Sequence, residues 1–161
     1  MRTAAFALSV AALAATGSSW AQQSPADAYN VCAACHLPTG AGIPGAFPPI
    51  RERGRQIAVL EGGREYLIGT VLNGLMGQIS AGGQSYFGVM AGQRGAMDHE
   101  SIAQALNYVM FELADDDGSE VAAFTADEVA GVAEQWGAAG PDKAAKVRQQ
   151  LVEKHADAWP K

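Results

Sequence analysis

Both cysteines of the chain, Cys32 and Cys35, fall in the segment NVCAACH, and His36 follows the second directly. Two thiols and an imidazole within five residues restrict the chemistry to a few kinds. A disulfide suits an exported chain. A thioredoxin-like dithiol also uses C-x-x-C, but it accompanies a βαβ pattern, and no strand-rich, β-branched stretch stands out here. A structural zinc site takes four ligands, whereas the other histidines are His99 and His155 and there is no third cysteine. The remaining reading is C-x-x-C-H, the spacing at which haem c is attached. Three positions apart on a helix, the thiols share a face. Each can add to one vinyl group of a porphyrin, with the His36 imidazole turned toward the iron. A single motif predicts one haem; a structural disulfide or catalytic dithiol is the competing reading.

The residues ahead of the motif are suited to start the helix that must present it. In SPAD, Ser24 is an N-cap, Pro25 fits the first helical position, and Asp27 meets the positive end of the helix dipole. Further upstream, Arg2 is followed by an uncharged apolar run from Thr3 to Ala15 and by small residues before Gln22, which reads as a secretory signal peptide cleaved after Ala21. The run is short for a membrane span, which needs about 20 residues. No later segment is apolar enough to cross a membrane, so the mature chain is expected in the periplasm or an equivalent space.

The 161 residues suit one domain, and 48% of them are hydrophobic, enough for a core. The formal charge is −6, and loss of Arg2 makes the mature chain more acidic. Such a chain is a poor nucleic-acid binder, because phosphate repels it. The acidic residues between Asp115 and Glu134 and the basic RERGR at 51–55 read as solvated surface.

A haem needs a second axial ligand or an open site, and methionine favours ferrous iron in electron carriers. Met110 follows helical spacing in HESIAQALNYVMFEL and reads as core, and Met97 precedes the N-cap Asp98. Met76 and Met90 lie in glycine-rich sequence that reads as a ligand loop. Glycines from Gly69 to Gly95 would let backbone approach a flat macrocycle.

Residues 30–112 resemble class I c-type cytochromes. CHLPTGAGIPGAFPPI looks like their attachment loop, REYLIGTVLNGLMGQISAGGQSYFGVMAG like their middle helix and ligand loop, and MDHESIAQALNYV like their last helix. The subgroup with this wording includes cytochrome subunits or fused domains of periplasmic redox enzymes, such as sulfite dehydrogenases and copper nitrite reductases. The resemblance implies an all-α, cytochrome c-like fold around one covalent haem. It makes Met90 the sixth ligand and a backbone carbonyl at Pro48 or Pro49 the acceptor for the His36 ring. Ala91 replaces the proline that usually follows the ligand methionine. Phe47, Ile50, Leu67, Ile68, Val71, Leu72, Ile79 and Phe87 are candidate haem-wall residues, and Arg55, Arg64, Tyr66 and Tyr86 candidates for the haem propionates.

The expected organisation is a signal peptide at 1–21, a haem domain at 22–114 and a helical extension at 115–161, with Trp136 and Trp159 anchoring the extension. DDDGSE at 115–120 lacks the full EF-hand spacing and reads as a solvated acidic turn. The expected function is that of an electron carrier rather than an enzyme. Its partners would be periplasmic or membrane-bound redox proteins. Two alternatives stand beside it: a cytochrome subunit held in a larger oxidoreductase, motivated by the extension, and a haem enzyme or gas sensor with an open sixth site, motivated by Ala91.

Overall fold

A computed structural model describes residues 23–115 and 120–161. The signal-peptide expectation and the centre of the acidic turn, residues 116–119, lie outside the described residues. The chain forms α1 (Pro25–His36), α2 (Arg51–Ala58), α3 (Gly63–Asn73), β1 (Gly74–Ala81), β2 (Gln84–Ala91), α4 (His99–Tyr108), α5 (Ala126–Trp136) and α6 (Pro141–Lys154). A π-helical turn at Val109–Leu113 continues α4. Among the described residues no helix is long and apolar enough to cross a membrane.

The helix starts follow local chemistry. The Ser24 hydroxyl accepts from Asp27 N at 3.2 Å, with Pro25 next to it in the first turn. The Asp98 carboxylate caps α4 by accepting from Ser101 N at 2.7 Å, and the Thr125 hydroxyl caps α5 by accepting from Glu128 N at 3.2 Å. Each cap satisfies an amide with no partner inside its helix.

The expectation of an all-α chain needs one correction. Residues 74–91 are a two-stranded antiparallel hairpin rather than an irregular loop, with Leu75 opposite Met90 and Ala81 opposite Gln84. The turn between the strands is Gly82-Gly83, with φ of +57° and +73°. Left-handed conformation at both central residues is what a two-residue hairpin turn of the right twist demands, and paired glycine meets it without strain. Along β1, Leu75, Gly77 and Ile79 are half-buried while Met76, Gln78 and Ser80 face out, the two-residue alternation of a strand.

Helices α5 and α6 share the core of the preceding elements. Ile68, Leu72, Ile102 and Met110 are packed in one cluster with Phe124, Val129, Trp136 and Ala144. Trp136 lies against α3 at Gly69, where a side-chain carbon would overlap its ring, and its Nε1 donates to Glu65 at 2.7 Å. Arg64 donates to both oxygens of Glu128, at 2.7 and 2.6 Å, and its guanidinium sits 3.9 Å from the centre of the Phe124 ring. A second cluster joins Ile57 and Tyr66 to Leu151 and Trp159, seating α6 on α2 and α3.

Gly69→Ala forces Trp136 out of this contact. The expected outcome is a loss of about 1–3 kcal/mol, the usual cost of overpacking a core, read as a lower midpoint in chemical denaturation.

Candidate cofactor site

The last turn of α1 delivers the reactive groups to one cleft. Cys32 is half-buried, Cys35 is exposed, and His36 is buried. Burial pushes the Cys32 thiol up to about 11, with Cys35 adding to the effect and a backbone hydrogen bond opposing it. A redox dithiol shows the reverse, a depressed value in electropositive surroundings. Among the described residues no group of three His, Cys, Asp or Glu side chains is arranged to hold a metal ion.

The chain must leave the helix immediately after His36 without releasing the ring. Leu37 does so at φ +65°, a left-handed conformation that a branched apolar residue seldom adopts. Tyr29, one face of its ring stacked on Tyr108, donates its hydroxyl to Leu37 O at 2.9 Å and holds this turn. Burial, followed by Cys32 and Tyr108, raises the Tyr29 phenol to about 12, so it remains a donor.

The imidazole is fixed from the far side. His36 Nδ1–H donates to the Pro48 carbonyl at 2.8 Å. The carbonyl can only accept, so the proton is on Nδ1 and the Nε2 lone pair is left over. Burial pushes the pKa of His36 below the usual value, and the Pro48 hydrogen bond opposes that only in part. The neutral ring is the state a metal ligand requires, and an outer-shell carbonyl of this kind sets its tautomer and orientation. Pro49 also borders the cleft.

Gly42 positions that carbonyl. It has φ +67°, its N–H donates to His36 O at 3.0 Å, and a side-chain carbon there would lie 2.6 Å from Pro48 O. The loop is closed further by Ile43 N donating to Phe47 O at 2.7 Å and by Ile50 N donating to Gly40 O at 2.9 Å.

Met90 lines the same cleft as Cys32 and His36. The hairpin register puts it on one face with Leu75, whereas Met76 pairs with Val89 on the other face and is 42% exposed. Met110, fully buried, also contributes to the cleft wall, and Met97 belongs to the core. Ile50, Leu67, Val71 and Ile79 line the inner cleft, and Phe47, Tyr86 and Phe87 its outer mouth beside Cys35. Ile68 and Leu72 turn instead into the helical core. Of the residues considered for propionates, Tyr66 lines the inner cleft, Arg64 is committed to Glu128, and Arg55 Nη1 donates to Met110 O at 3.2 Å.

Sequence reasoning missed Arg53, Thr70, Leu75 and Arg148, which also line the cleft. Leu75 was signalled by its alternation with Ile79. Nothing in the local pattern of α6 ties Arg148 to this site.

These residues surround a cleft that opens to solvent beside Cys35. Its lining is mostly apolar, with two thiols, a neutral imidazole, the thioethers of Met90 and Met110, the Thr70 hydroxyl and the guanidinium groups of Arg53 and Arg148. This donor set fits an iron porphyrin held through sulfur and nitrogen.

No family model matches the chain. A cytochrome c-552 from Thermus thermophilus is 47% identical over 93 residues, covering 58% of this chain and 62% of that protein. A second cytochrome c-552 from Thermus thermophilus is 48% identical over 88 residues, covering 55% of this chain and 66% of that protein. The chain thus spans less than two thirds of the length of either relative.

Gly42→Ala combines an unfavourable φ with a collision at the Pro48 carbonyl. The expected outcome is a loss of about 1–3 kcal/mol, measured by thermal unfolding, and a weakened Nδ1 hydrogen bond, measured by nitrogen NMR of the His36 ring.

Proposed function

We propose that this chain is a class I c-type cytochrome that carries single electrons between redox proteins with one covalently held haem c. When bound, the haem supplies an iron that gains or loses one electron at a time. The observation that carries this reading is a neutral, carbonyl-anchored His36 sharing one apolar cleft with Cys32 and Met90. Cys32 and Cys35 would hold the group through thioether bonds. His36 would ligate the iron through Nε2, and the Met90 sulfur would be its second protein ligand. The strand pleat supports Met90 over Met76. Both strands of the hairpin are held by a continuous ladder, a constraint on Met90 that stands in for the proline absent at Ala91.

The residues divide the labour. The Pro48 carbonyl orients the imidazole and fixes its tautomer, and burial keeps it neutral. The apolar walls exclude water, which limits the reorganisation that accompanies a change of charge. With His36 and Met90 both bound to the iron, substrate would have no direct route to it, so the role would be transfer rather than catalysis. Export through the N-terminal leader, and hence a periplasmic setting, belongs to the same reading.

Partners would be periplasmic or membrane-bound redox proteins. A chain with a formal charge of −6 favours a basic partner surface, and opposite charges accelerate encounter. The alternative of a subunit held in a larger oxidoreductase is favoured by one observation: Phe87 and Val89, on the outer face of the hairpin, are 83% and 69% exposed. Helices α5 and α6 no longer argue for it, since they are packed into the core.

Two outcomes test the function. Protein produced with haem-attachment machinery should keep a haem c spectrum through acid–acetone extraction and show the weak far-red band of methionine on ferric iron. Met90→Ala should abolish that band and allow carbon monoxide to bind the ferrous protein, while Met76→Ala should leave both unchanged. A haem-free product would overturn the cofactor, and a band surviving Met90→Ala would overturn the ligand. The second outcome is kinetic. Electron transfer to a basic redox partner should slow as salt is raised through about 0.1 M, where screening sets in over about 10 Å, whereas an unchanged rate would remove steering by charge.

A further inference from the structure

The strand that carries Met90 ends at Ala91, paired with Gly74 just after α3. From there the chain turns back across the C-terminal end of α3. Gln93 N donates to Val71 O at 2.8 Å, and Arg94 N donates to Leu72 O at 3.2 Å. Both acceptors are carbonyls of the last helical turn, which have no partner inside the helix. A side-chain carbon at Gly92 would lie 2.7 Å from Leu72 O, so glycine permits the close approach.

The half-buried Arg94 side chain then joins this end of α3 to the end of α5. Its Nε and Nη2 donate to Oδ1 of the buried Asn73 at 3.3 and 3.2 Å. Nη2 also donates to Ala133 O at 3.3 Å and to Gly137 O at 2.5 Å. The last turn of α5 holds no basic residue of its own, and Arg94 brings a cation to the negative end of its dipole. Lys143, whose Nζ donates to Trp136 O at 3.5 Å, adds a second cation there. A planar guanidinium with five N–H donors can serve all three Arg94 acceptors, and its charge strengthens each bond.

Met90 is therefore bracketed. The β1–β2 ladder holds it on one side. Four residues after it, Arg94 pins the exit of the strand to two helix ends. A shift of the strand that withdraws Met90 from the cleft must lift this exit and break the charged hydrogen bonds.

We infer that Arg94 is the positioning residue that keeps Met90 in the cleft, by tying the strand that carries it to the C-terminal ends of α3 and α5. The inference rests on the reading of Met90 as an iron ligand and extends it. It also gives α5 a part in the site from outside the cleft.

The test uses the full, haem-loaded ferric chain, with imidazole as the probe. Imidazole takes the place of Met90 on the iron, so its binding rate reads how readily Met90 departs. Arg94→Gln should raise that rate by about tenfold, the factor that matches loss of one hydrogen bond from a charged group. The far-red band of methionine on ferric iron should also fade at a lower temperature. Leu151→Ala, which weakens the cluster beneath α6, should lower the unfolding midpoint and leave the imidazole rate close to that of wild type. An unchanged rate in Arg94→Gln, or an equal rise in Leu151→Ala at the same loss of stability, would overturn the inference. If Arg94→Gln does not load, amide hydrogen exchange at Gln93 and Arg94 of the loaded wild type decides. Exchange only through global unfolding supports the tie, and exchange through local opening overturns it. Wild type without the far-red band would instead overturn the ligand reading beneath the inference.

Discussion

The hydrogen bond from His36 Nδ1 to the Pro48 carbonyl, 2.8 Å long, is the constraint around which the cleft is arranged. For an imidazole to offer Nε2 into an apolar space, its other nitrogen must be satisfied by a fixed acceptor. A carbonyl twelve residues away can serve only if the intervening loop folds back tightly. That requirement accounts for the left-handed Leu37, the Tyr29 hydroxyl bound to it, and the glycine at 42, where any larger residue meets the Pro48 peptide. Local strain at the end of α1 is thus held by contacts from the loop and from α4, the pattern expected where function overrides conformational preference.

Much of this was legible in the sequence because the signals are short-range. Ser24, Pro25 and Asp27 mark the start of α1, and the thiols and imidazole follow at fixed spacing on the same helix. The acceptor at Pro48 or Pro49 came from the resemblance to class I c-type cytochromes rather than from local pattern. The hairpin was not read, although its signals were present: Gly82-Gly83 is a two-residue turn, and Leu75, Gly77 and Ile79 alternate with polar or exposed positions. The abundance of glycine favoured a loop reading, whereas two of those glycines close a β-turn. A strand also explains what a loop left open, since the pleat separates Met90 from Met76 by placing them on opposite faces.

The least legible part lay at long range. Arg64 looked like a cleft residue, yet Glu128, 64 positions later, captures it and Phe124 stacks beneath it. Arg148 carries no local sign of a role in α6, yet its side chain reaches the cleft. No periodicity in one segment reveals a partner in another. Trp136, wedged against Gly69, shows the same dependence, because a glycine inside α3 has no local purpose until the indole arrives.

The placement of α6 has a consequence in time. The thiols lie near the beginning of the chain, and one wall of the cleft that contains them lies near its end. A polypeptide made from its N-terminus presents α1 well before α6. During that interval the cleft stands open on the side that α6 later covers. In a chain that folds from its N-terminus, docking of α6 would complete the cleft last.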